Sequence, residues 1–326
     1  MYELSILARG GVLLTVWAVA AGWPPGRLSG RLRRDGWQRI CRGAWAAPGR
    51  EVDWRLRATA LQFLRPELVC SHGTAARLHR IERLGTAVSG GPLKSPLKSP
   101  LRSPLKSPLD FPLEFTAPAP ARSALGPSVR IHSTTSLTPQ DRSTRRGLRT
   151  TTPARTVGDL IRTSATREEA VVVADSALSH RAVGGVRREA VVRYEELTAE
   201  LAAPRRGAAR ARTWLRLAEP ASGSPAETVA RLRMGDVGLF AESQPAVRTR
   251  EGRVLRPDFL FRTAGLAVEI EGYAFHGTRR AHERDIARFN ALQSCPEIRR
   301  VLRFTAREVF QHPERMVATV RAALSL

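Results

Sequence analysis

Proline stands at every fourth position from Pro92 to Pro108 in the run PLKSPLKSPLRSPLKSPL. A proline has no backbone N–H to donate and its ring collides with the preceding turn, so no regular helix passes through such a run. The run should be extended and polyproline-like, and it must separate whatever folds before it from whatever folds after. Disorder is expected to continue to about Pro127, which makes residues 92–127 a linker. Lys94, Lys98, Arg102 and Lys106 would let it touch phosphate without sequence preference. A disordered insertion made by repeat expansion is the preferred reading of it.

The chain's charge constrains its partners. Its 53 Lys and Arg outnumber 30 Asp and Glu, a net +23. An excess of that size points to a polyanion, most often nucleic acid. It is uneven: residues 1–220 carry 36 basic and 18 acidic side chains, residues 221–326 carry 17 and 12. Cys41, Cys70 and Cys295 are far apart and odd in number, with no CxxC pair. That supports neither a zinc knuckle nor a disulfide scaffold and fits a reducing cytoplasm. Val12–Ala21 (VLLTVWAVAA) imitates a signal-peptide core, but ten residues are too few to span a bilayer. Its leader carries Glu3 and a single Arg, so no membrane partner is expected.

Residues 1–50 read as a winged helix-turn-helix. Tyr2–Ala8 suits a short helix, Thr15–Ala21 a second with Thr15 as N-cap, and Pro25–Arg34 a third with Pro near its first turn. The third carries Arg27, Arg31, Arg33 and Arg34, with Leu28 and Leu32 as its apolar side. Trp37–Ile40, a turn at Arg42-Gly43 and Ala44–Ala46 read as a hairpin that adds Arg39 and Arg42. In this order the third helix would enter the major groove, its arginines on phosphates and base edges. The plainer reading is a solvated basic helix beside an unrelated hairpin.

Residues 51–91 look helical in two pieces broken near Pro66, with His72 and His79 as ordinary rather than ligating histidines. Order resumes over 128–220 as an α/β region: a strand at Val129–His132, a helix opened by Thr152-Pro153, another over Arg167–Ser179, and a basic helix over Arg205–Glu219. Nothing between 50 and 220 looks catalytic.

The last third does. Around the turn Arg262–Gly265, RPDFLF pairs with LAVEIEG, so that Phe261 faces Leu266, Leu260 faces Ala267 and Phe259 faces Val268. Asp258 then faces Glu269, and Glu271 lies on the same face two residues on. Like charges at such a pair are destabilising, so a bound cation, a shared proton or nearby arginines must compensate. Mg²⁺ (or Mn²⁺) held by Asp258 and Glu269 is one answer, because such an ion can activate water at a phosphodiester. Pairing with the abundant arginines is the other. His276 follows five residues after Glu271 and could act as acid, base or phosphate contact. Ser224 and Glu227 fit a capping box, which is enough to explain Glu227. A helix over Arg279–Gln293, a strand over Arg299–Thr305 and a closing helix from Pro313 complete a compact α/β unit.

These motifs carry a resemblance. Ser224-Pro225 with Glu227, Gln244, the PDFLF run, VEIEG, His276, ERDIAR and VLRFT together resemble Vsr-like endonucleases of the broad PD-(D/E)xK class. The resemblance implies a restriction-endonuclease-like α/β/α domain over 221–326, with Asp258 and Glu269 as core metal ligands and Glu227 beside them. Glu271 stands where the class has Lys, and His276 matches a histidine near the site. Residues 1–88 and 128–200 more loosely resemble AbiEi-type antitoxins, through a winged helix and the segment TTPARTVGDL. That resemblance implies DNA and a cognate toxin as partners.

The expectation is therefore a multidomain α/β chain. It comprises a winged helix-turn-helix (1–50), a helical stretch (51–91), a linker (92–127), an α/β middle region (128–220) and an endonuclease-like domain (221–326). Its function is either DNA cleavage with Mg²⁺ or repression by an antitoxin-like protein whose nuclease-like domain is inactive. Glu271 or His276 would help activate water in the first case.

Overall fold

A computed structural model of the chain describes residues 3–85, 112–119, 125, 128–271 and 279–325. The proline repeat and His276 lie outside the described residues. The chain forms two compact units, Met1–His79 with Ser103–Thr156 and Arg80–Arg102 with Val157–Leu326.

The first unit begins with α1 (Leu4–Leu7), β1 (Val12–Leu14), α2 (Thr15–Ala20), α3 (Pro25–Arg34) and the hairpin β2 (Gln38–Cys41) and β3 (Ala44–Ala46). The three helices and the hairpin fall where expected. The strand β1 is additional; it pairs antiparallel with β3 in a sheet of order β1-β3-β2. Thr15 is not the N-cap of α2. Leu14 occupies that position as the last residue of β1 and offers no side-chain cap. One sheet face is covered by Leu4, Ala18, Leu28 and Leu32 around Leu13 and Trp45. The other face, Val12, Leu14, Ala44 and Ala46, packs on Leu56 and Ala60 of α4 (Trp54–Leu64). Residue 50 is therefore not a domain boundary, because burying the second face of that sheet requires α4.

After α4 come β4 (Val69–Cys70) and α5 (His72–His79), then β5 (Leu113–Pro118), β6 (Val129–Thr134), β7 (Arg142–Arg145) and β8 (Leu148–Thr151). These strands form one sheet of order β6-β5-β4-β8-β7. The expected linker over 92–127 is thus wrong for Leu113–Pro118. Leu113, Phe115 and Ala117 alternate as an internal strand, and all three are buried with Leu61, Leu68 and Leu148. Chain segments on both sides of the proline repeat share this sheet, so the repeat interrupts one folded unit.

The second unit starts in α6 (Pro153–Thr163), where Thr152 Oγ1 accepts from Arg155 N at 3.4 Å as a cap should. It continues with α7 (Arg167–Leu178), the hairpin β9 (Arg181–Val183) and β10 (Val186–Arg188), α8 (Tyr194–Ala202) and α9 (Ala208–Leu215). The expected helix over Arg205–Glu219 is only α9, because Gly207 at φ +82 starts it late. Then come α10 (Pro225–Gly235), β11 (Glu242–Ser243), the small hairpin β12 (Val247–Arg248) and β13 (Val254–Leu255), β14 (Phe259–Phe261) and β15 (Leu266–Glu271). The chain closes with α11 (Arg279–Gln293), β16 (Arg300–Thr305), α12 (Ala306–Gln311) and α13 (Pro313–Leu324).

The sheet order is β11-β14-β15-β16, antiparallel except for the parallel pair β15–β16. One of its faces (Phe259, Leu266, Val268, Ile270) packs on α10, α12 and α13, while the other (Leu260, Ala267) packs on Leu292 of α11 and on Cys295 and Ile298 in the segment that follows it. Helices therefore flank the sheet on both sides. The short helix α12 is also additional; Thr305 and Glu308 form the reciprocal capping box that opens it.

Residue 220 is not a boundary between compact units either. Val172 of α7 belongs to the same core as the sheet. Asp175 of α7, fully buried, accepts from Thr228 Oγ1 (2.7 Å), Arg231 Nη2 (3.0 Å) and Glu219 N (2.6 Å). Among the described residues no helix is long and apolar enough to cross a membrane.

Candidate functional site

The register expected for the carboxylate hairpin is the one observed: Phe259 opposite Val268, Leu260 opposite Ala267, Phe261 opposite Leu266. The turn is tight at Gly265, where φ is +64 and a Cβ would lie 3.1 Å from Glu297 O. Regular pairing stops at Phe259, and Asp258 turns its carboxylate onto the neighbouring strand: Ile270 N donates to Asp258 Oδ2 at 2.6 Å. Alternation along β15 places Glu269 and Glu271 on the face of Ala267. That face is apolar at the Leu260 and Ala267 end and acidic beyond it.

Glu227 joins from α10. Ser224 caps that helix by accepting from Glu227 N (3.2 Å), but the other half of the expected capping box does not form. The Glu227 carboxylate instead accepts from Gly223 N (2.7 Å) and from Gln244 Nε2 (2.9 Å). The same Gln244 nitrogen donates to Asp258 Oδ1 at 2.8 Å, so one amide ties two carboxylates together. Gln244 holds a left-handed backbone (φ +50), and its N–H donates to Asp258 O at 3.0 Å. Nothing in the spacing of the sequence predicts that bridge.

Electrostatics follow from this crowding. Asp258 is pushed up to about 8, first by burial and then by the negative charges of Glu227 and Glu269. Burial raises Glu269 as well, opposed by Arg288 of α11, whose Nη1 lies 2.5 Å from Glu269 Oε2. Glu271 pairs with Arg303 at 2.6 Å, and that guanidinium also lies 4.9 Å from the centre of the Phe289 ring. Of the three compensations open in the sequence, arginines serve Glu269 and Glu271, and burial favours a retained proton on Asp258. Glu269 Oε1 is left over: buried, with no hydrogen-bond partner among the described residues. A buried carboxylate oxygen without a donor is costly, and a cation would satisfy it. The set Asp258, Glu269 and Glu227 therefore fits a hard cation in its donor chemistry. As folded, no group of three or more His, Cys, Asp or Glu side chains among the described residues is arranged to hold one.

The basic helix is also placed. On α3, Arg27, Arg31 and Arg34 fall on one side of the helix and are exposed, while Leu28 and Leu32 are buried. Arg31 is paired with Asp35 at 2.6 Å, and Arg33 lies over Trp45 at 5.7 Å. No carboxylate among the described residues pairs with Arg27, Arg34, Arg39 or Arg42, all exposed.

The histidines of α5 each have a protein partner. His79 is buried against Thr151 O (2.8 Å), and burial pushes its pKa down. His72 stacks on His132 of β6 with ring centres 3.6 Å apart and 15° between planes. Parallel rings aim their nitrogens in separate planes, which suits packing rather than chelation. Glu114 of β5 lies 3.4 Å from His132 Nε2, not aligned as a hydrogen bond. Glu114 also accepts from Gly73 N at 2.7 Å.

No family model matches the chain. No curated protein matches it either. Among solved structures, the RV2827C protein from Mycobacterium tuberculosis is similar at 17% identity with a TM-score of 0.42, over 76% of this chain and 87% of that one. A likeness of that strength carries no weight for fold or function.

Proposed function

We propose that the chain is a DNA-binding protein whose C-terminal domain, Vsr-like in its motifs, hydrolyses phosphodiester bonds with Mg²⁺ or Mn²⁺. In this reading the first 50 residues act as a winged helix-turn-helix of the AbiEi antitoxin type. Its free arginines Arg27, Arg34, Arg39 and Arg42 take phosphate or base edges. The observation that carries the catalytic part is the crowding of three carboxylates: Glu227 and Asp258 share the Gln244 amide, and Glu269, close enough to raise Asp258, keeps one carboxylate oxygen without a donor. A cation held there would polarise a phosphodiester and lower the pKa of bound water. Asp258 and Glu269 would hold it, Glu227 would sit beside them, and Glu271 or His276 would help activate water. Free thiols at Cys41, Cys70 and Cys295 suit a cytoplasmic setting.

A second reading has its own observation. Glu271, in place of the class lysine, is engaged by Arg303, so no cationic side chain projects from that strand position. An antitoxin-like repressor with an inactive nuclease-like domain, acting on DNA with a cognate toxin, would look the same. The two separate by titrating the protein and Asp258→Ala with Mg²⁺ and Mn²⁺, followed by calorimetry and plasmid nicking. Cation uptake and nicking, both abolished in the variant, support the enzyme. Duplex binding without cation uptake or nicking supports the repressor.

A further inference from the structure

The strand position that lacks a lysine is not the only place from which a positive charge can reach this site. Arg288 projects from α11, and its guanidinium spans two acceptors. Nη1 reaches Glu269 Oε2 at 2.5 Å and Nη2 reaches Arg256 O at 2.6 Å. Arg256 is itself tied to Gln244 O at 3.0 Å, next to the amide that bridges Glu227 and Asp258. The Arg288 side chain is 36% exposed while that of Glu269 is 13% exposed, so the guanidinium stands at the rim of the site.

We infer that Arg288 is an internal counter-ion that keeps divalent cations off Glu269 until a backbone phosphate of DNA draws its guanidinium away. Cation and phosphodiester then bind as a coupled pair. The inference rests on the reading of the carboxylate site given above. Two physical points carry it. A cation on Glu269 would share the carboxylate with a fixed guanidinium, and like charges that close repel strongly where water is partly excluded. A guanidinium fork fits a phosphate as well as a carboxylate, and the rim position leaves it within reach of one. The competing role, in which Arg288 merely orients Glu269 for the cation, has the opposite sign: its loss would weaken cation binding.

The test is calorimetric titration of the full chain with MnCl₂, with and without a short duplex, the uptake of the duplex alone being subtracted. Wild type, Arg288→Met and Asp258→Ala are compared, each checked for folding by circular dichroism. Arg288→Met keeps the aliphatic stem and should bind Mn²⁺ roughly tenfold tighter or more in the absence of DNA. The duplex should tighten wild type toward that level and add little to the variant. Should Arg288→Met not fold, Arg288→Lys keeps the charge without the fork and should tighten binding by a smaller factor. Equal or weaker Mn²⁺ binding in the folded variant overturns the inference, as does a duplex that leaves the wild-type affinity unchanged. The underlying reading fails in a different way: no Mn²⁺ uptake by wild type or variant, or uptake that Asp258→Ala does not alter.

Discussion

Asp258 makes the stability of the second unit depend on pH in an unusual direction. Its carboxyl holds a proton up to about 8 in the folded chain, because it is withdrawn from water beside Glu227 and Glu269. In the unfolded chain it would lose that proton near 3.9, the ordinary aspartate value. Between those values the folded state binds more protons than the unfolded one, so stability falls as pH rises. The slope for one fully linked group is about 1.4 kcal/mol per pH unit. Glu269 shares the raised environment, so the fall is spread over the pair rather than owned by Asp258. Asp258→Asn removes the titrating group and stays neutral at every pH. Its amide N–H₂ would face either Gln244 Nε2 or Ile270 N, both donors now, so its absolute stability is not the readout. The slope is. Urea denaturation of wild type and variant at pH 5, 6, 7 and 8, followed by far-UV circular dichroism, should show wild type losing stability toward alkaline pH and the variant much flatter. Parallel slopes would refute the claim that the carboxylate cluster holds a proton in the fold.

Other outcomes follow from the same geometry. Asp175→Ala leaves Thr228, Arg231 and the Glu219 N–H without their buried acceptor and should cost about 3–5 kcal/mol in denaturant unfolding; a change under about 1 kcal/mol would contradict the anchoring role. Glu114→Ala removes the acceptor for Gly73 N at the start of α5 and should destabilise the first unit by about 1–3 kcal/mol, read as a lower thermal midpoint. Replacing Arg27, Arg34, Arg39 and Arg42 together by Ala should weaken duplex binding and flatten its salt dependence by about 0.9 for each phosphate that is no longer neutralised. Fluorescence anisotropy at several salt concentrations measures this, and an unchanged slope places DNA elsewhere on the chain.

Much of the local structure was legible because it depends on neighbours in the sequence. The hairpin register around Arg262–Gly265, the basic face of α3 with Leu28 and Leu32 beneath it, and the Ser224 and Thr152 helix starts are all set by side-chain periodicity and backbone chemistry within a few residues. That register brings Asp258 and Glu269 to the same end of the hairpin, although regular pairing stops at Phe259 and the Asp258 carboxylate turns to Ile270 N. What the sequence could not show depends on chain segments that meet only after folding. Gln244 bridges two carboxylates from 14 and 17 residues away, and Arg288 reaches Glu269 across 19. The division of the chain is hidden for the same reason. Proline spacing announces a break in regular structure, but whether the flanking strands pair with each other is decided by burial of Leu113, Phe115 and Ala117 against β4 and its neighbours. Likewise α4 and α7 lie beyond boundaries drawn from composition, yet each completes a core that begins on the other side. Periodicity reports which face of an element is apolar; only the tertiary structure decides what covers it.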